Sequence, residues 1–227
     1  MPLSTLSVMK DFSICAVFIL EIPSATDLYH CISEAQHVCE IVTLNEFDCK
    51  SRCSIDRAAF NQAIDEFTNW VVQNPECPPI LHLSAHGSQT GIELPDGDEI
   101  SWRQFQTNLQ GANQAAEDGV VICLSCCEGL TCEQVLLHSN DGEKPFRGII
   151  ATGDKPEWSD TAVGFSAFYH RLANGSSVKD AVYALRIASG MESFLYICCD
   201  SAKDVMKQSS DGVASDDIVK CFLDAGV

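Results

Sequence analysis

The stretch 81–129 constrains this chain most, because it holds two short apolar runs that end alike. The first, Leu81-His82-Leu83-Ser84-Ala85-His86-Gly87, closes on a histidine and a glycine. The second, Val120-Val121-Ile122-Cys123-Leu124-Ser125-Cys126-Cys127-Glu128-Gly129, closes on two cysteines, an acid and a glycine. The run 12–22 is apolar without alternation, as expected for a parallel strand covered on both faces. Adjacent parallel strands of this kind would carry an imidazole and a thiol to one C-terminal edge, where ligands gather in open α/β sheets. A cysteine and a histidine far apart in sequence but close in space are the minimum equipment for a thiol nucleophile.

The flanking sequence reads as strands alternating with helices. Strands are expected at 12–22, 40–44, 80–85, 119–125, 146–151 and 193–199. Ser24 is expected to cap a helix to 39, and Ser54 another to 73. Capping boxes at Ser101/Gln104 and Thr131/Gln134 open helices to 115 and 138. Two more are expected at 161–172 and 177–189, parted by the C-cap Asn174-Gly175. Pro95-Asp96-Gly97 turns a hairpin over 90–100, while 45–52, 139–144 and 153–159 read as loops. This order predicts one domain over 1–200, a three-layer α/β/α sandwich on a mostly parallel six-stranded sheet. Residues 201–227 read as an acidic tail with a short helix.

Composition narrows the partners. A formal charge of −18, from 32 acids against 14 bases, argues against a nucleic-acid binder and suits a basic peptide. Thirteen cysteines is an odd number, in a chain long enough to build a core without disulfides. Cys15, Cys123 and Cys198 sit in apolar runs as small hydrophobes, so a reducing cytoplasm is expected. Residues 13–20 are apolar, but Asp11 cancels Lys10 and Glu21 interrupts the run. A buried strand is therefore expected rather than a signal peptide or a membrane span.

Neither a phosphate-binding glycine loop nor a Gly-x-Ser-x-Gly elbow is present, and no cofactor is expected. Cys123 and Cys126 would point to opposite faces of a strand, and Cys49 and Cys53 lack a partner pair, so no metal is expected. A thiolate attacks an amide carbonyl. Cys127 is the favoured nucleophile, with Cys126 the open alternative, and the following helix would favour the anion. His86 would serve as general acid and base. The N–H groups of Gly87 and Cys127 would hold the oxyanion, and Gly129 would allow the turn. His82 reads as structural.

These motifs resemble those of clan CD cysteine peptidases, the caspase-like group, and especially the CHAT domains. Ala85-His86-Gly87 matches the histidine motif, and Thr90-Gly91-Ile92-Glu93-Leu94 with Asp96-Gly97 and Ile100-Ser101-Trp102 is similar to the hairpin that follows it. Leu124-Ser125-Cys126-Cys127-Glu128-Gly129 resembles the cysteine motif, with Cys126 in a slot usually held by alanine. Residues 160–185, including Phe168-Tyr169, Leu172, Gly175 and Ala181, resemble the C-terminal helical signature.

The resemblance implies a caspase-like fold and an endopeptidase acting on protein or peptide substrates. It also implies a role in bacterial defence or cell death, triggered by a sensor protein, a guide complex or a nucleotide messenger. In related peptidases an acid after the fifth strand selects a basic P1 side chain. Asp154, Glu157 and Asp160 fall there, although Asp160 also fits a helix N-cap. Trp158 and Trp102 are candidates to line a peptide groove. The competing expectation is a catalytically silent module of the same fold that binds a peptide or a small nucleotide.

Overall fold

A computed structural model describes residues 15–117, 119–133 and 146–199. The chain runs through β1 (Ala16–Ile22), α1 (Ala25–His30), α2 (Glu34–Leu44), β2 (Asp48–Cys53), α3 (Arg57–Gln73) and β3 (Ile80–Gly87). It continues with the hairpin β4 (Gly91–Glu93) and β5 (Glu99–Ser101), α4 (Trp102–Ala115), β6 (Val121–Ser125) and a 3₁₀ turn (Gly129–Glu133). It then forms β7 (Gly148–Ala151), α5 (Trp158–Ala173), α6 (Val178–Ser189) and β8 (Leu195–Cys198). The main sheet has the order β2-β1-β3-β6-β7-β8. All its pairs are parallel except the last, where β8 returns antiparallel to β7.

Strand periodicity splits the core in two. Phe18, Leu20, Leu81, Leu83, Ile122 and Leu124 pack with Phe60, Phe67, Phe105 and Leu109 of α3 and α4. Val17, Ile19, Ile80, Cys123 and Ile150 pack on the other face with Val38, Phe165, Phe168 and Leu185 of α2, α5 and α6. Each fully buried large apolar side chain stabilises the fold by roughly 1.5–3 kcal/mol. The result is a three-layer α/β/α sandwich on a mostly parallel sheet.

Local structure departs from expectation in several places. Residues 40–44 are the end of α2 and not a strand, because Val38 and Val42 are a buried i, i+4 pair. The second strand is 48–53, read from sequence as part of a loop. It forms the sheet edge with no buried residue, so no apolar run betrays it. Ser24 caps a helix as expected, but Cys31 turns left-handed at φ 53° and Ser33 caps a second helix. Asp56, and not Ser54, caps α3. Helix α5 starts at Trp158 behind Glu157, which puts Asp160 inside the first turn and not at the cap. Residues 12–14, 118, 134–145 and 200–227, with the tail and most of the helix expected to 138, lie outside the described residues. Among the described residues no helix is long and apolar enough to cross a membrane.

Candidate active site

β3 and β6 are adjacent and parallel, with Ser84 paired directly to Ser125. β6 ends at Ser125 while β3 runs on to Gly87, and His86 and Cys127 each follow a paired serine by two residues. Side chains alternate along a strand, so Ser84 and His86 share a face of β3, whereas Cys127 lies in the turn after β6. The serine hydroxyls both reach Glu34 of α2, which fixes that face as the α2/α5 side. Cys126 belongs to the opposite core and is 2% exposed, whereas Cys127 is half-buried. Burial pushes the Cys126 thiol far up, with Cys127 and Glu34 adding to the effect. Burial therefore separates the two adjacent cysteines: Cys126 lines the core, and Cys127 is half-buried in the turn whose backbone packs against Gly87.

Glycines hold this edge together. A Cβ on Gly87 would lie 2.5 Å from the Cys127 carbonyl oxygen and 3.2 Å from Cys126 Sγ. On Gly129 it would lie 3.1 Å from Cys126 Sγ and 3.2 Å from Leu124 Cβ. Gly129 is thus needed for close packing, and the turn is made one residue earlier. Glu128 takes φ 54°, a left-handed conformation uncommon for a non-glycine residue. It is pinned there by its N–H donating to Asp154 O at 2.9 Å and by Thr131 Oγ1 donating to its carbonyl at 2.7 Å.

His86 is held on two sides. Its Nε2 donates to Asp27 Oδ2 at 2.8 Å, and Trp158 stacks on the ring at a centroid distance of 5.6 Å and 26°. Asp27 also closes a capping box with Ser24, accepting from Ser24 N at 2.8 Å and Oγ at 2.5 Å. Burial pushes the Asp27 carboxyl up, but Ser24 and His86 together outweigh it and hold the group below its usual range. Asp27 carries no signal of this role in the sequence. Ser24-Ala25-Thr26-Asp27 carries the capping-box pattern, but nothing in it indicates a histidine 59 residues away.

Electrostatics at Cys127 differ from the expectation. Desolvation raises its thiol; Lys155 lowers it, and Glu128 and Glu157 raise it further. The expected α-helix dipole is replaced in the described residues by the 3₁₀ turn at Gly129–Glu133. Lys155 Nζ is 3.5 Å from Glu128 Oε1.

The acids after β7 are spread out. Asp154 is exposed and meets the Cys127 loop through its backbone carbonyl. Glu157 is exposed and acts electrostatically on Cys127. Asp160 is half-buried in the first turn of α5. Trp102 is buried, donating through Nε1 to Ser88 O at 3.2 Å, so it packs under the hairpin and not in a groove. His82 is fully buried, with Nδ1 3.0 Å from the Tyr169 hydroxyl, and desolvation pushes it down to about 3. It is a neutral core group. Cys123 lies in the α5-side core and Cys126 in the other, so the pair does not converge.

No protein-family model matches the chain, and no curated protein matches its sequence. Among solved structures, the Arg-specific cysteine proteinase gingipain R (RgpB) aligns with a TM-score of 0.48 and 12% identity, over 81% of this chain and 45% of that one. The complex of the Porphyromonas gingivalis RgpB pro- and mature domains aligns with a TM-score of 0.45 and 12% identity, over 88% and 46%. The chain spans under half the length of these solved chains.

Proposed function

We propose that this chain is a cysteine endopeptidase of the caspase-like, CHAT type, with Cys127 as nucleophile and His86 as acid and base. The observation that carries the reading is the pairing of β3 with β6, which sets the Cys127 backbone against Gly87, next to His86, with Asp27 behind the imidazole. Asp27 occupies Nε2, so Nδ1 exchanges the proton. His86 takes the thiol proton as Sγ attacks the substrate carbonyl carbon. The N–H groups of Gly87 and Cys127 receive the oxyanion. The imidazolium then protonates the leaving amine, and water hydrolyses the thioester. Asp27 is a positioning residue that keeps one tautomer and one ring orientation.

Glu157 acts on the Cys127 thiol, and an acid there suits a basic P1 side chain, with Asp154 and Asp160 the further candidates. Trp158 offers its indole as one wall of the substrate groove. The reading extends to an enzyme that works in the cytoplasm as a triggered effector of bacterial defence or cell death. The trigger would be a sensor protein, a guide complex or a nucleotide messenger.

Incubation with a proteome-derived peptide library, followed by mass spectrometry of new termini, tests the reading. Cleavage after Lys or Arg that disappears in Cys127→Ala supports it. Cleavage that persists in Cys127→Ala refutes it, and full-rate cleavage without any added factor refutes the trigger.

A further inference from the structure

One buried carboxylate lies under the two strand ends and takes no part in the chemistry above. Glu34 is the first residue of α2 and is 2% exposed. Ser84 Oγ donates to its Oε2 at 2.5 Å. Ser125 Oγ lies 2.8 Å from Oε1 and 2.7 Å from Oε2. Thr161, in the first turn of α5, faces the same carboxyl. The N-terminus of α2 is fixed in turn by a second buried acid. Glu21 of β1 accepts from Ala35 N at 2.9 Å and from Ser33 Oγ at 2.9 Å.

We propose that Glu34 is a positioning residue for the thiol–imidazole pair: its carboxylate, at the start of α2, ties the ends of β3 and β6 to one point, so that His86 and Cys127 are held in one register. The proposal rests on the thiol-peptidase reading. Ser84 and Ser125 are direct cross-strand partners, and each stands two residues before the group it positions. Thr161 lies three residues beyond Trp158, the ring stacked on His86.

A stability role alone accounts poorly for this group. Among the described residues no lysine, arginine or histidine forms an ion pair with Glu34. The titratable groups that face it are Glu21 from β1, the Cys126 thiol after β6 and Tyr169 of α5. Desolvation and Glu21 push its carboxyl up to about 7 against the pull of the three hydroxyls. A buried acid without a cation costs stability, and an apolar or amide side chain of similar volume would cost less. What the carboxylate adds is two oxygens that accept from both strand ends at once.

The test uses the full chain and iodoacetamide as probe, with carbamidomethylation of the Cys127 peptide followed by mass spectrometry at pH 7.5. Wild type, Glu34→Gln, His86→Ala and the double variant form a cycle. The expected result is slowing by roughly tenfold in His86→Ala, slowing of several-fold in Glu34→Gln, and no further slowing in the double variant. Unchanged alkylation in Glu34→Gln beside a slowed His86→Ala overturns the proposal and leaves the dyad standing. Equal slowing by Glu34→Gln in both backgrounds also overturns it, since the effect would not pass through the pair. Unchanged alkylation in His86→Ala removes the dyad and the proposal together. If circular dichroism finds Glu34→Gln unfolded, Ser84→Ala replaces it, with the same pattern expected and the same outcomes decisive.

Discussion

The Nε2 of His86 sits 2.8 Å from Oδ2 of Asp27, and the same carboxylate oxygen closes the capping box of α1. A short surface helix with no buried residue is thereby attached to the imidazole.

Asp27→Asn keeps the shape and removes the charge. Turnover is expected to fall about 10²-fold with KM little changed, because the imidazolium formed during attack loses its partner. The stability cost is about 1 kcal/mol from the weakened cap. Asp27 is held below its ordinary 3.8, so its contribution is present above that value and is lost as pH falls through the folded one. Urea denaturation should show the wild-type advantage at pH 7 and a shrinking one as the pH is lowered below 3.8.

Gly87→Ala places a methyl 2.5 Å from the Cys127 carbonyl oxygen, a contact that only backbone movement relieves. A loss of about 2 kcal/mol and of all peptidase activity is expected. Gly153→Ala is the control: its Cβ would meet only Leu130 Cδ1 at 3.6 Å, and thermal melting should barely change.

Glu157→Gln removes one of the acids that raise the Cys127 thiol. Alkylation by iodoacetamide at pH 7.5 should quicken about two-fold, and Lys155→Met should slow it by a similar factor. Peptides with a basic P1 should at the same time lose affinity in Glu157→Gln while neutral ones do not. Equal changes for both peptides would place the acid outside the P1 pocket.

Glu34 gives a pH signature of opposite sign to Asp27. Its folded value is raised from 4.5 to about 7, so the stability linked to that shift is fully present below 4.5 and lost as pH rises through 7. Relative to Glu34→Gln, the wild type should therefore weaken by on the order of 2 kcal/mol between pH 4.5 and pH 8. Parallel denaturation profiles for the two proteins would contradict a buried, strongly shifted carboxyl.

Much of this arrangement was legible in the sequence. Continuous apolar runs announced β1, β3 and β6, and the capping box at Ser101 and Gln104 announced α4. Strand alternation already placed Cys123 and Cys126 on opposite faces. β2 was illegible because an edge strand needs neither apolar face, and its Asp48-Cys49-Lys50-Ser51-Arg52-Cys53 reads as a loop. Asp27 and Glu34 were illegible for another reason. Local sequence presents each as an ordinary helix-start acid, and their further contacts come from strands 50 to 91 residues away. The strain at Glu128 was assigned to Gly129, since glycine is the residue expected at a positive φ.

The central claim is that one thiol, Cys127, reacts with the help of one imidazole, His86. It is tested most directly with a peptidyl acyloxymethyl ketone bearing a P1 lysine, followed by intact-mass and peptide mapping. The account predicts a single adduct on Cys127, retained in Cys126→Ala, abolished in Cys127→Ala and slowed at least tenfold in His86→Ala. An adduct on Cys126, or labelling of Cys127 at the same rate without His86, would contradict it.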